Sequence, residues 1–280
     1  MRDLDYREIV QAVSEMCQEA NCLISPDIRR ALAQAEAGES SPLGRRVLAT
    51  LLENARVAGT EMIPLCQDTG LAVVFAELGQ EVHIKGGDLE EAINAGVARG
   101  YEEGFLRKSV VGDPIRRVNT GDNCPAVIHY RIVPGDRLKL TVAPKGFGSE
   151  NMSALALLKP SQGLDGVRAV IIDTVRKAGP NPCPPVIVGV GLGGTMEKAA
   201  LMAKEALLRP VGSGHPDPFW RQVEEELLKE VNALDIGPAG FGGRSTALAV
   251  HVKTYATHIA GLPVAVNIGC HVTRHAEREL

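Results

Sequence analysis

Three cysteines occupy positions that suit reactive thiols. Cys66 lies in PLCQDTG, Cys183 in GPNPCPPV and Cys270 in VNIGCHVT, each in a Gly/Pro-rich turn at the end of an apolar segment. Such turns hold a side chain rigidly and direct it outward, as a metal ligand requires. The cysteines are 117 and 87 residues apart, so no local C-x-x-C zinc motif exists; on spacing alone, three isolated turn cysteines are more often coincidence than a shared site. If they converge, three thiolates suit an iron–sulfur cluster with one iron lacking a protein ligand, because full ligation of a four-iron cluster takes four cysteines. An iron with an open position is a Lewis acid. The other three read as packing. Cys17 and Cys22 fall within or just after a helix, where a thiol behaves as a small hydrophobe. Cys124, in GDNCPAV, opens a strand with no ligand-type neighbour.

Other candidates surround these thiols. Gln67 and Asp68 adjoin Cys66, so they are near any metal it binds. Arg107 in FLRKSVVGDP could clamp a carboxylate through two parallel bonds; the plainer reading is an exposed arginine at a helix end. His258 sits in a turn twelve residues before Cys270, while His271 and His275 read as surface residues. Gly189, Gly191 and Gly194 in GVGLGGT match G-x-G-x-x-G between a strand and a helix. A dinucleotide site also needs an acid about 20 residues on, at the end of a second strand. Leu208-Arg209-Pro210-Val211-Gly212 supplies neither acid nor strand. GVGLGGT therefore reads as a tight strand-to-helix turn, or as a helix N-terminus facing an anion such as a carboxylate. KGFGSEN (145–151) and FGGRST (241–246) are similar backbone-exposing turns.

Elements that position these residues follow from periodicity. Ile9, Val10, Val13, Met16 and Cys17 keep helical spacing. Ser25-Pro26 and Ser41-Pro42 each place a capping serine before a proline at the first helical position, predicting helices over 26–37 and 42–58, the latter closed by Gly59. Beyond residue 60 the pattern mixes. Leu71–Phe75 is a short apolar strand, and Asp88 caps a helix running to about Gly104. Ala126–Val133 and Arg137–Val142 form a strand pair around Pro134-Gly135. Val186–Val190, Thr246–Val252 and Pro263–Ile268 are further strands, and helices cover Gly166–Lys177, the stretch to about Leu208, and Trp220–Leu234. The expected class is α+β in a single domain over 1–280: a helical part over 1–60, then mixed α/β over 61–280, with a small sheet flanked by helices and room for two lobes.

Composition excludes several functions. With 45% hydrophobic and 23% charged residues, the chain is neither disordered nor fibrous. A net charge of −4 and 4% aromatics leave no basic footprint and few stacking platforms, which argues against a dedicated nucleic-acid binder. No apolar run reaches bilayer length, and MRDLDYREIV has no apolar h-region. The expectation is a cytoplasmic protein with reduced thiols and no membrane partner.

Taken together and in order, PLCQDTG, NTGDNCPAVIHY, PKGFGSEN, GVGLGGTMEKAA, FGGRSTALAVHVKTYATHIAGLPVAVNIGCH and the terminal TRHA make the chain resemble, nearly end to end, the α subunit of class I iron–sulfur fumarases and of their close relatives, the L-tartrate dehydratases. The resemblance reverses the odds that spacing alone gives. It implies a [4Fe-4S] cluster on Cys66, Cys183 and Cys270, and reversible hydration of fumarate to L-malate. It implies that Gln67, Asp68 and Arg107 contact the dicarboxylate, and that backbone N–H groups around Gly148 and Ser149 face a carboxylate. The GFGS turn is less glycine-rich than the family version. His258 falls on the family's active-site histidine, so Asp68 or His258 would pass a proton to the departing hydroxide. One-chain relatives continue into a second domain that carries the proton-abstracting base. This sequence ends ten residues after Cys270, so the expectation is a separate β subunit, an α2β2 or α–α assembly, and no activity alone. An L-tartrate dehydratase, a non-catalytic iron–sulfur sensor and, more distantly, a nucleotide-binding protein are the alternatives.

Overall fold

Leu4, Ile9, Val13 and Met16 are fully buried, so the first apolar stripe does face a core. In the computed structural model, which describes residues 1–280, the elements run β1 (Arg2–Asp5), α1 (Tyr6–Cys22), α2 (Pro26–Gly38), α3 (Pro42–Glu61), β2 (Leu71–Gly79), β3 (Val82–Lys85) and α4 (Leu89–Glu103). Then come β4 (Val127–Val133), β5 (Leu138–Lys145), the single turn α5 (Phe147–Glu150), β6 (Ala154–Leu158), α6 (Gly163–Ala178), β7 (Val186–Gly193) and α7 (Met196–Ala206). The chain closes with α8 (Pro218–Asn232), β8 (Ala247–Tyr255), β9 (Leu262–Gly269) and β10 (Ala276–Glu279). The class is α+β, as the alternation of patterns implies. No helix is long and apolar enough to cross a membrane.

The chain divides into two compact units. The first comprises Met1–Ile24, Ala55–Phe147 and Arg274–Leu280. Its four-stranded sheet has the order β10-β5-β2-β4, and β1 pairs separately with β3 in parallel. Ile9, Val13 and Met16 of α1 and Ile93, Val97 and Tyr101 of α4 share one core with Val74, Leu138, Leu140 and Val142 of the sheet. Asp5 caps α1 by accepting from Arg7 N, and Asp88 caps α4 by accepting from Glu91 N, as its position before the apolar run suggests.

Two expectations fail here. β4 and β5 do not pair with each other: β2 lies between them, parallel to β4 and antiparallel to β5. The reason is burial. β2 is more apolar and more buried than β4 and takes an inner position, whereas β4 carries His129, Tyr130 and Arg131 in succession, is largely exposed and suits an edge. The Pro134-Gly135 turn instead wraps the end of β2, with Glu81 N donating to Gly135 O and Gly79 N to Arg137 O. Gly59 does not end α3, which runs on to Glu61; one glycine inside a helix costs only about 1 kcal/mol.

The second unit comprises Ser25–Asn54 and Gly148–Thr273. Its sheet order is β6-β9-β7-β8, with β7 parallel to β8 and antiparallel to β9. Val186, Val188, Val190 and Leu192 face α6 and α8, which contribute Ile171, Val175, Leu227 and Val231. After Ile187 the alternate residues of β7 are glycines, and α7 lies on Gly189 and Gly191. A Cβ at Gly189 would collide with the Ala203 carbonyl and one at Gly191 with the Ala199 carbonyl. The G-x-G spacing is thus the period of a strand whose one face must admit a helix at close range.

Candidate active site

In the first unit, the loop Cys66-Gln67-Asp68 follows α3 and enters β2. Cys66 and Gln67 are exposed and Asp68 half-buried. Directional bonds hold this loop from several sides. The Asp68 carboxylate accepts from Gly70 N at 3.0 Å and from Phe147 N at 2.9 Å, and Arg274 Nη2 donates to the Asp68 carbonyl at 2.8 Å. Thr69 Oγ1 donates to the Arg107 carbonyl at 3.1 Å, which brings exposed Arg107 to the same place. Beneath them Tyr101, fully buried, points its hydroxyl at the Thr69 and Gly70 carbonyls at 2.8 and 3.0 Å. Burial pushes its phenol well above the usual range, so it serves as a neutral hydrogen-bond donor. The Cys66–Asp68 loop and the backbone of Arg107 are therefore held on one frame.

In the second unit, Cys183 lies just before β7 and Cys270 just after β9. The two strands are antiparallel, with Ile187 opposite Gly269, so the register puts both cysteines at one end of the sheet. His271 joins their turns, its Nδ1 lying 2.9 Å from the Cys183 carbonyl. Because that carbonyl can only accept, Nδ1 carries the proton. Cys183 has φ +54°, a left-handed conformation costly for a residue with a side chain; such strain concentrates at functional sites. The Gly148–Ser149 turn belongs to the same end, since a Cβ on Gly148 would sit 3.5 Å from the Asn181 carbonyl, two residues before Cys183. Glu150 anchors this turn, taking two bonds from Lys204 Nζ at 2.8 and 2.9 Å and one from Asn267 Nδ2 at 2.9 Å.

His258 is placed elsewhere. It is exposed in the turn between β8 and β9, with Ala260 N donating to its Nδ1 at 3.2 Å. That turn is at the opposite end of the sheet from Cys183 and Cys270. The eight residues of β9 separate them by roughly 25 Å at the usual rise of a strand.

The six thiols fall into two chemical groups. Cys66 and Cys183 are exposed and Cys270 half-buried. Burial pushes the Cys17 thiol far up and raises that of Cys22; burial and then the Asp122 charge push Cys124 up to about 11. Cys124 Sγ lies 3.2 Å from the Asn94 carbonyl. The thiols open to solvent are therefore Cys66 in the first unit and, in the second, Cys183 with Cys270 partly so. No set of three or more His, Cys, Asp or Glu side chains is placed to hold a single metal ion.

Sequence reasoning passed over Thr69, Tyr101, Asn123 and Arg274, which frame the Cys66–Asp68 loop in the first unit, and Lys204 and Asn267, which hold Glu150 beside the Gly148–Ser149 turn in the second. Asn123 and Arg274 lie inside NTGDNCPAVIHY and TRHA, unusual polar motifs that were available as a signal. Tyr101 and Lys204 sit on ordinary helix faces and offered none.

Comparison with known proteins gives a consistent answer. A protein of Methanocaldococcus jannaschii provisionally named L(+)-tartrate dehydratase subunit alpha is 38% identical over 278 residues, covering 98% of both chains. The proteins of Escherichia coli and Shigella sonnei named L(+)-tartrate dehydratase subunit alpha are each 31% identical over 278 residues, covering 96% of this chain and 91% of theirs. The sequence profile of fumarate hydratase (Fumerase) matches residues 10–279. A match of that extent places this chain in the fumarate hydratase (Fumerase) family.

Proposed function

We propose that this chain is the α subunit of a cytoplasmic iron–sulfur hydro-lyase that reversibly hydrates fumarate to L-malate. The observation that carries the reading is the gathering of Cys66, Gln67, Asp68 and Arg107 on one bonded frame, joined through Thr69. Cys66, Cys183 and Cys270 would hold a [4Fe-4S] cluster, which when bound supplies a Lewis-acidic iron for the substrate hydroxyl. Arg107 and Gln67 bind carboxylate oxygens, the guanidinium through paired bonds. The exposed backbone at Gly148 and Ser149 receives a carboxylate as its charge grows. Gly148 suits this role in that only the Asn181 carbonyl comes within ordinary contact distance of where a Cβ would sit. Asp68, oriented by two backbone N–H groups, and His258 are the groups that pass a proton to the leaving hydroxide.

His258 lies about 25 Å along the sheet from Cys270, by the strand rise. In an α–α or α2β2 assembly it therefore serves the site of a second copy. A β subunit supplies the base that removes the carbon-bound proton. Two observations support a covering chain: the relatives carry the name subunit alpha over nearly this whole length, and Phe105, Ile115 and Val118 near Arg107 are 93%, 87% and 71% exposed.

The names of the relatives favour a second reading, L(+)-tartrate dehydratase, in which further contacts would meet a second hydroxyl. Anaerobic co-purification with the β chain, followed by assays on fumarate, L-malate and L(+)-tartrate, separates the readings. Turnover of fumarate and malate supports the first and turnover of tartrate alone the second. A brown complex that converts none of the three sinks both and leaves the sensor.

A further inference from the structure

We propose that Asn123 is a positioning residue for the dicarboxylate site, fixing the distance between the Gln67–Asp68 loop and Arg107. The proposal rests on the substrate reading above and adds how that site keeps its shape. Asn123 is fully buried and adopts φ +63°, a conformation that asparagine tolerates better than most residues. Its side chain bonds in two directions. Nδ2 donates to the Gly70 carbonyl at 3.2 Å, three residues after Gln67. Oδ1 accepts from Ser109 N at 2.7 Å and Val110 N at 3.2 Å, just after Arg107.

One amide thus ties the two loops that carry the proposed carboxylate contacts. Thr69 Oγ1, bonded to the Arg107 carbonyl, is the second tie. Leu106 and Val110 are buried, yet apolar contact is non-directional and does not set where a guanidinium points. Beyond Val110 the chain leaves in a small bridged loop, Val111 opposite Asn119, with Ile115 and Val118 in solvent. That loop bonds back to the Arg107 segment, Asn119 Nδ2 donating to the Lys108 carbonyl at 2.9 Å and Thr120 N to the Val110 carbonyl at 3.0 Å, but neither bond reaches the Gln67–Asp68 loop; Asn123 and Thr69 make that link. Neither group of Asn123 reaches the surface, so it touches no substrate and acts only through its neighbours.

The chemistry makes this spacing matter. Gln67 and Arg107 must meet a dicarboxylate of fixed length, and a misplacement of about 1 Å can cost up to a hundredfold in rate or binding.

Asn123→Asp isolates the tie. Aspartate keeps the oxygen that accepts from Ser109 and Val110 and tolerates the positive φ, but opposes a second oxygen to the Gly70 carbonyl. In the cluster-loaded complex with the β chain, KM for the dicarboxylate should rise about tenfold while kcat stays within about threefold, as a positioning defect requires. Colour and cluster content should not change. Hydrogen exchange on the same variant supplies a readout independent of turnover: amides over 66–70 should exchange at least about tenfold faster, while Ser109 and Val110 stay protected. An unchanged KM, a fall in kcat with KM unmoved, or equal loss of protection in both loops would overturn the proposal. Should the unsubstituted complex convert no dicarboxylate, the substrate reading fails, and the exchange contrast alone decides whether Asn123 ties the loops.

Discussion

At the level of single residues, environment sorts side chains that composition cannot. Cys17 is fully buried and its thiol is raised far from ionisation, whereas Cys66 and Cys183 reach solvent. A thiolate, not a thiol, binds iron. Cys66→Ser, Cys183→Ser and Cys270→Ser should each abolish the brown colour of anaerobically reconstituted protein, while Cys17→Ser, Cys22→Ser and Cys124→Ser keep it. Iron and acid-labile sulfide analysis checks this, and loss of the cluster in Cys124→Ser but not Cys183→Ser would overturn the ligand set. Arg107→Ala should lower kcat/KM about a hundredfold, roughly 3 kcal/mol, the scale of a desolvated charge pair left without its partner. Unchanged steady-state kinetics would move the carboxylate clamp elsewhere. The turn cysteines were legible because glycine and proline around them mark exposed turns. Tyr101 was not: an aromatic on a helix face usually means core, and only the fold reveals its hydroxyl beneath the Thr69 and Gly70 carbonyls.

At the level of elements, the helices were more legible than the pairing of strands. A capping residue and a proline are local features, and Ser41 does bond Gly44 N at 3.2 Å at the start of α3. Strand order is not local, and nothing between residues 126 and 142 records that β2 must come between β4 and β5. β1, β3, β6 and β10 were likewise missed: at four or five residues, even the alternation of Val82-His83-Ile84-Lys85 is too short a run to stand out. FGGRST shows a third case, where the partner is distant: buried Glu39 accepts from Arg244 N and Ser245 N, both at 3.0 Å, so a residue before α3 shapes that turn.

The second unit also contains a buried histidine with a consequence for stability. His251 in β8 is almost wholly enclosed, and its Nδ1 meets the Ala206 carbonyl at the end of α7 at 3.2 Å. Burial and then the Arg209 cation lower its pKa to about 4. The unfolded imidazole takes a proton near pH 6.5, the folded one only near pH 4. Unfolding therefore binds a proton between those values, and stability is full above pH 6.5 and falls as pH drops through the window. The loss is roughly 3 kcal/mol. Urea midpoints measured from pH 7 to 4 should show this slope, and His251→Gln should flatten it; an equal slope in both proteins would place the proton uptake in another group.

At the level of the whole molecule, the role proposed for His258 calls for a second copy of the chain. His258 and Cys270 are joined by a single strand that holds them roughly 25 Å apart at its usual rise, and a hydrogen-bonded strand does not shorten. If His258 takes part in catalysis, the cluster it serves belongs to another copy, and symmetry makes the exchange mutual. Complementation tests this directly. His258→Asn and Cys270→Ser chains, each purified with the β chain, should be almost inactive, the first with a full cluster and the second without one. Co-expressed, they form mixed assemblies in which one site combines the cluster of the His258→Asn chain with His258 of the Cys270→Ser chain. Random pairing of two copies makes half of the assemblies mixed, each with one of its two sites intact, so activity should return to about a quarter of the unsubstituted level. If His258 served its own chain's cluster, no pairing could rebuild a complete site and the mixture would stay as inactive as its parts.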